Sequence, residues 1–144
     1  MFRQLTDKVY ASPQIGLSQI TQAKALGVAL IVNNRPEGES DDQTPGPEIA
    51  AAAQSAGIDY VAIPVTHSGF SEPQVAAMRA ALDKAGDAPM LAYCRSGTRS
   101  TLLWALAEAS AGVDPASLRR AAAAAGYDLA PIAPLMDRLA ARSR

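Results

Sequence analysis

Residues 89–112 read PMLAYCRSGTRSTLLWALAEASAG, in which a short polar loop joins two apolar stretches. The run PMLAY at 89–93 is typical of a short buried strand. The segment that follows Ser100 places apolar side chains on every face of a helix, which indicates central packing, and Gly112 is placed to end that helix. These residues therefore predict a strand, a loop that begins at Cys94 and a central helix.

Short apolar runs alternate with alanine-rich segments elsewhere in the chain as well. The alanine-rich segments carry apolar residues at helical spacing and end in glycine, as helices do. The predicted strands are 9–12, 28–33, 59–65 and 89–93, and the other predicted helices are 18–26, about 45–57, 72–84, 115–125 and 131–142. Two helix starts are marked by capping residues: Ser71 and Gln74 form a capping box, and Asp114 precedes Pro115.

Strands separated by helices of about ten to fifteen residues have to be mostly parallel, because parallel neighbours need a long crossover connection. We therefore predict an α/β fold with a mostly parallel central sheet of about four or five strands and helices on both faces. The length of 144 residues is that of one domain, so we expect a single domain over residues 1–144.

Composition and charge exclude several classes of protein. The chain is 49% hydrophobic and 19% charged, too apolar for disorder and too interrupted for a membrane span. Its 13 basic and 14 acidic residues form no long block, so no nucleic acid or membrane partner is expected. One Cys and one His cannot build a zinc site, so we expect no metal and no cofactor. The N-terminal residues lack the pattern of a signal peptide, and a cytoplasmic location is expected.

Three loops leave the carboxyl ends of predicted strands, where ligands of open parallel sheets bind. They span residues 33–38, 66–70 and 94–100. The only Cys and the only His of the chain, Cys94 and His67, lie in these loops together with several arginines. The sequence therefore places a candidate site at one edge of the sheet.

The loop that begins at Cys94 has the features of an anion-binding turn. Its backbone N–H groups would surround the sulfur, and the N-terminus of the next helix and Arg99 would add positive charge that favours a thiolate. Gly97 is suited to a positive φ, and Ser100 has a hydroxyl that can donate to the sulfur or cap the helix. The other loop residues predicted to bind an anion are Arg95, Ser96 and Thr98. The plainer alternative is a buried cysteine that acts as a small hydrophobic residue.

The run AYCRSGTRS at 92–100 resembles the active loop of single-domain rhodaneses. Together with IVNNRPEGE at 31–39 and YVAIPVTHSGF at 60–70, residues 8–112 resemble the bacterial family of beta-lactamase-hydrolase-like, phosphatase-like domains. The resemblance implies the fold of dual-specificity protein tyrosine phosphatases and a cysteine enzyme of phosphatase or sulfurtransferase type. Some members are fused to a metallo-beta-lactamase-type domain of persulfide metabolism, which implies a functional link to a persulfide dioxygenase of that type.

Differences from the tyrosine phosphatase pattern favour sulfur transfer. Tyr93 precedes Cys94 where those phosphatases have His, and four residues rather than five separate Cys94 from Arg99. The loop at 66–70 contains no carboxylate that could protonate a leaving oxygen, and His67 is the nearest substitute. Sulfite or a thiolate leaves with little help from an acid.

We therefore predict a rhodanese-type sulfurtransferase that carries sulfane sulfur from thiosulfate or a persulfide on Cys94. The alternative is a tyrosine or dual-specificity-type phosphatase that hydrolyses a phosphate ester through a phosphocysteine at the same residue. A second alternative is a non-catalytic module that binds anions.

The remaining polar residues each allow a functional and a structural interpretation. Arg35 would bind a second anionic group, or it belongs to a turn held by local side-chain hydrogen bonds. Arg95 would receive the donor, or it is simply solvated. His67 is either catalytic or an exposed loop residue. Tyr93 and Trp104 lie in apolar runs and are predicted to be core residues.

Overall fold

A computed structural model describes residues 1–143 and contains a five-stranded sheet. In chain order, the elements are β1 (Arg3–Gln4), β2 (Val9–Ser12), α1 (Ser18–Ala25), β3 (Leu30–Asn33), α2 (Gly46–Ser55), β4 (Asp59–Ala62), α3 (Glu72–Ala85), β5 (Met90–Tyr93), α4 (Thr98–Ser110), α5 (Pro115–Ala124), a 3₁₀ turn (Ala130–Ile132) and α6 (Ala133–Arg142). The strand order is β1-β2-β5-β3-β4, with β1 antiparallel to β2 and the other neighbours parallel. The predicted α/β class is confirmed.

Helices cover both faces of the sheet, as predicted. One apolar cluster includes Met78, Leu103, Leu118 and Met136 and joins α3, α4, α5 and α6 to one face. The other includes Ile20 and joins α1 and α2 to the opposite face. Helix α4 is buried along almost its whole length.

The predicted core residues occupy the layers between sheet and helices. The Trp104 and Tyr93 side chains are each 1% exposed, which confirms their predicted placement in the core. Both predicted helix starts are also confirmed. Ser71 and Gln74 form the reciprocal capping box of α3, and the Asp114 side chain accepts a hydrogen bond from the Ala116 amide at the start of α5.

Several predicted boundaries were wrong. Strand β1 was missed because two exposed residues carry no periodicity. Strand β4 ends at Ala62 instead of Val65, although the chain stays bonded to the end of β3 through Ile63 N–H to Asn33 O and Val65 N–H to Asn34 O. The last helical segment begins with a 3₁₀ turn and becomes α-helical at Ala133.

Strands β2, β5, β3 and β4 run in one direction, so the loops that follow them meet at one edge of the sheet. All four residues of β5 are buried, and β5 lies between β2 and β3 at the centre of the sheet. The loop after β5 is therefore flanked by the loops of its neighbours. None of the helices in residues 1–143 is long and apolar enough to cross a bilayer.

Candidate active site

Cys94 directly follows β5 and is completely buried. Its amide donates a hydrogen bond to Ser12 O at 3.3 Å, which fixes the start of the loop to the end of β2. The Gly97 amide donates to Cys94 Sγ at 3.1 Å. The backbone thus folds back on the sulfur, and the N-terminal end of α4 supplies a donor that favours negative charge there.

Gly97 is required at the turn for two separate reasons. Its φ of +92° lies in the left-handed region that favours glycine. A Cβ atom on Gly97 would also collide with the Tyr127 hydroxyl and would come within 3.3 Å of the Ser12 carbonyl carbon. Helix α4 begins at Thr98, two residues before the predicted start at Ser100, because this turn already directs the chain into the helix.

Arg99 is held by two groups that flank the loop. Its Nη1 donates to Glu39 Oε2 at 2.7 Å and to Val65 O at 2.7 Å, and its Nη2 donates to Glu39 Oε1 at 2.8 Å. Hydrogen bonding to Glu39 raises the pKa of Arg99, burial opposes this, and the nearby Cys94 side chain raises it further. Arg99 therefore lies between Glu39 and Cys94.

The contacts of Arg99 leave one edge of its guanidinium group available. A guanidinium has five N–H groups, and the bonds to Glu39 and Val65 use three of them. Among residues 1–143, the Nε–H and the second Nη2–H of Arg99 donate to no oxygen or nitrogen atom, and the Cys94 side chain is the neighbour that interacts with this arginine besides Glu39 and Val65. These two hydrogens point the same way and form a fork that matches two oxygens of a phosphate, sulfate or carboxylate group.

Glu39 connects two arginines and was missed in the sequence. Besides Arg99, it accepts a hydrogen bond from Arg35 Nε at 2.9 Å. Hydrogen bonding to Arg99 is the largest effect on Glu39, and the pKa of this carboxyl falls from 4.5 to about 2 although burial opposes the change. Glu39 is therefore a carboxylate at neutral pH. The stretch IVNNRPEGE contains it, but nothing local distinguishes it from Glu37.

Arg35 fits the structural interpretation better than that of an anion-binding residue. Its side chain is only 3% exposed, and its three nitrogens donate to Glu39, Gln14 Oε1 and Ser40 Oγ. Its amide also donates to Asn33 Oδ1. Three of its five N–H groups are bonded within the chain, as in Arg99, but the side chain of Arg35 is almost completely buried, so Arg35 acts here as a support for Glu39.

Four further predicted site residues, His67, Arg95, Ser96 and Thr98, lie on the exposed side of the site. His67 and Arg95 are exposed, and no side-chain hydrogen bond connects His67 to the loop of Cys94 within residues 1–143. Ser96 Oγ bonds Thr98 Oγ1 at 3.0 Å and accepts a hydrogen bond from the Thr98 amide at 3.3 Å. These two residues tie the outer side of the loop together.

Ser100 does not take either of its predicted roles. It is the third residue of α4, so it does not cap that helix, whose N-cap position belongs to Gly97. Its hydroxyl is buried and has no hydrogen-bond partner among residues 1–143, Cys94 included.

The five-stranded sheet, with Cys94 at the end of its central strand and a tight turn leading into a buried helix, belongs to an α/β fold similar to that of solved phosphatases. The Pseudomonas aeruginosa protein TpbA, crystallised with phosphotyrosine, shares this fold with a TM-score of 0.63 at 19% identity, over 99% of this chain and 89% of that chain. Residues 1–111 match the family described as "Beta-lactamase hydrolase-like protein, phosphatase-like domain". The chain belongs to this family, as the sequence resemblance implied.

Two relatives place the chain more closely. A candidate phosphatase from Neisseria meningitidis of known structure is 32% identical, with a TM-score of 0.78 over 99% of this chain and 97% of that chain. The Beta-lactamase hydrolase-like protein of Agrobacterium fabrum is 31% identical over 108 residues, which are 75% of this chain. The matched region is 25% of that relative, so the chain spans about a quarter of the length of the curated relatives it matches.

Proposed function

We propose that this chain hydrolyses phosphate monoesters through a covalent phosphocysteine at Cys94. The observation that carries the proposal is the fork of Arg99, which donates to no oxygen of the chain and lies beside a sulfur that already accepts the Gly97 amide. We call the turn of residues 94–99 around the Cys94 sulfur the cup. A phosphoryl group presents several oxygens to this cup, and an arginine held by a carboxylate binds two of them without rearrangement. Membership of a phosphatase-like family supports phosphate ester hydrolysis as well. The predicted preference for sulfur transfer has no support from the relatives.

The first step transfers the phosphoryl group to sulfur. The Cys94 thiolate attacks phosphorus, the S–P bond forms, and the P–O bond to the alcohol breaks with its electron pair on the leaving oxygen. Arg99 and the loop amides bind the phosphoryl oxygens as their charge redistributes. In the second step, the oxygen of water attacks phosphorus and the S–P bond breaks with its electron pair on sulfur, which restores the thiolate. Both protons of the water leave with the product, dihydrogen phosphate.

The supply of a proton to the leaving oxygen determines which phosphate esters the site can hydrolyse. Glu39 is ionised and doubly paired, so it has no proton to donate at neutral pH. The β4–α3 loop offers only the exposed His67 as an acid. A phenolate of low basicity departs without an acid, whereas an alkoxide does not. We therefore propose aryl phosphates, and not alkyl phosphates, as substrates.

Sulfur transfer remains a second candidate because of the same missing acid. If Cys94 takes the outer sulfur of thiosulfate, sulfite departs as a stable anion and no proton donor is needed. The Arg99 fork would then bind the sulfonate oxygens of the donor. The two candidates share the nucleophile and the cup and differ in the atom that is attacked.

Steady-state turnover separates the candidates. We expect the wild-type protein to hydrolyse aryl phosphates at rates that rise steeply as the leaving phenol becomes more acidic. Cys94→Ser should abolish turnover. Arg99→Lys should reduce it by roughly tenfold or more, because lysine keeps the charge and loses the fork. The exposed Arg120→Lys is the matched control and should leave turnover unchanged.

His67→Ala tests the role of the only histidine. With acidic phenols as leaving groups we expect little effect, because no acid is needed. A loss confined to basic leaving groups would make His67 the acid, a role worth on the order of 10²–10⁴ in rate. Efficient thiosulfate-to-cyanide sulfur transfer with no aryl phosphate hydrolysis would reject the phosphatase proposal and support the sulfurtransferase.

A further inference from the structure

Tyr127 contacts the active loop from a part of the chain outside the matched family region, which ends at residue 111. Its hydroxyl donates a hydrogen bond to Ser96 O at 3.2 Å. The same hydroxyl lies so close to Gly97 that a Cβ atom at that position would collide with it. The ring therefore packs directly on the outer side of the loop that holds Cys94.

The bond from Tyr127 acts on one particular peptide group. The carbonyl of Ser96 and the amide of Gly97 belong to the same peptide unit, and in a trans peptide the C=O and N–H groups point in opposite directions. The carbonyl is bonded to Tyr127, and the N–H is bonded to Cys94 Sγ at 3.1 Å. Fixing the carbonyl outward thus fixes the N–H inward, toward the nucleophile.

The ring of Tyr127 is itself held in place. The Arg3 guanidinium lies over the ring at 5.3 Å from its centroid, and Arg3 Nη1 donates to Ala125 O at 3.0 Å. The Tyr127 amide donates to Ala122 O at 2.8 Å, which anchors the residue to the end of α5. Burial raises the pKa of Tyr127, Arg3 opposes this, and Cys94 adds to it, so the hydroxyl remains a donor at neutral pH.

We propose that Tyr127 is a positioning residue for the nucleophile: its hydroxyl orients the Ser96–Gly97 peptide so that the Gly97 N–H stabilises the Cys94 thiolate. The role rests on the proposed use of Cys94 as a nucleophile. Successive hydrogen bonds through one peptide group also polarise one another, which strengthens the donor at the sulfur. Arg3 supports the arrangement by holding the ring.

Tyr127→Phe keeps the ring and removes only the hydroxyl, and Tyr10→Phe is the matched control. Tyr10 is half-buried on β2, and its hydroxyl makes no hydrogen bond within residues 1–143. Cys94 is the only cysteine of the chain, so alkylation by iodoacetamide reports on it alone. We expect Tyr127→Phe to slow alkylation at neutral pH by roughly three- to tenfold, the effect of one hydrogen bond. Tyr10→Phe should match the wild type.

A second readout follows the peptide itself. The amide resonance of Gly97 should move in Tyr127→Phe and stay in place in Tyr10→Phe, while the urea midpoints show whether both variants remain folded. An alkylation rate that is unchanged or higher in Tyr127→Phe, with an unmoved Gly97 resonance, would overturn the inference.

If Tyr127→Phe fails to fold, Arg3→Gln loosens the ring from an exposed position and should slow alkylation by about twofold. Wild-type alkylation and an unmoved Gly97 resonance in Arg3→Gln would then contradict the role. Neither readout needs turnover, so an inactive wild-type protein would count against the proposed function and leave this inference standing.

Discussion

At the scale of single residues, Glu39 determines how Arg99 presents its donors. The carboxylate occupies the end of the guanidinium group, and Val65 O takes a further N–H, so the remaining fork is aimed by contacts that exist before any ligand binds. Both side chains are mostly buried, at 13% exposure for Arg99 and 17% for Glu39. An ion pair so placed is less screened by solvent than an exposed one.

Replacing this carboxylate tests its function as a support. We expect Glu39→Gln to lower kcat/KM for aryl phosphates by roughly ten- to a hundredfold, because an Arg99 that can rotate no longer holds the phosphoryl group in line. The exposed Glu48→Gln is the matched control and should have wild-type kinetics. Equal kinetics in both variants would show that Val65 O alone positions Arg99.

The residues that could be recognised from the sequence are those close together along the chain. Cys94, Gly97 and Arg99 share one loop, and the neighbouring strand and helix indicated their arrangement. Glu39 lies 60 residues from Arg99, and Tyr127 lies 31 residues from Ser96. Contacts between residues so far apart in the chain depend on how the strands and helices are arranged in space. Patterns over a few residues do not contain that information.

At the scale of elements, the turn between β5 and α4 depends on Gly97. Gly97→Ala places a Cβ at a positive φ and against Tyr127, so we expect the loop to shift and activity to fall by about 100-fold. Activity on an aryl phosphate and the urea midpoint are measured together.

Gly57→Ala separates conformational strain from collision. Gly57 has a similar φ of +76°, but a Cβ there has no neighbour within 4 Å among the residues described. This variant should lose about 1 kcal/mol of stability and keep its activity. Comparable activities in the two variants would mean that the loop tolerates a side chain at Gly97.

The sequence predicted which segments are helices and which are strands better than it predicted where they begin and end. Helix α3 matched its prediction because a capping box marks its start, and α4 was recognised by its apolar residues on all faces. The prediction extended β4 too far because Ile63 and Val65 are buried and β-branched. These residues lie beyond the end of the strand, although their amides still donate to Asn33 O and Asn34 O. Side-chain burial and strand pairing are separate properties, and the pattern of apolar residues reports only the first.

At the scale of the whole molecule, the sheet brings loops from four strands to one edge. The sequence predicted three of these loops at the site and left out the one after β2. That loop provides Gln14, whose amide donates to Arg95 O at 3.2 Å and whose side chain accepts from Arg35 at 3.0 Å. The antiparallel strand β1 then carries Arg3 to Tyr127. The complete site therefore needs the strand order as well as the motif.

The ion pairs of Glu39 make part of the stability dependent on pH. The pKa of Glu39 is about 2 in the folded chain against an ordinary value of 4.5. The contribution of Glu39 to the free energy of unfolding is therefore complete above pH 4.5 and disappears as the pH falls to about 2. The difference in unfolding free energy between the wild type and Glu39→Gln should be largest at neutral pH and vanish near the lower value. A difference that does not change with pH would show that Glu39 is not paired in solution.

The chemical identity of the group on Cys94 during turnover tests the central claim most directly. The protein is mixed with an aryl phosphate or with thiosulfate, quenched in acid within milliseconds, and the peptide that contains Cys94 is weighed by mass spectrometry, with Cys94→Ser as the control. We predict a phosphoryl group on Cys94 after the aryl phosphate, at an amount that decays as inorganic phosphate appears. A persulfide on Cys94 after thiosulfate, with no phosphoryl adduct under any condition, would contradict the account.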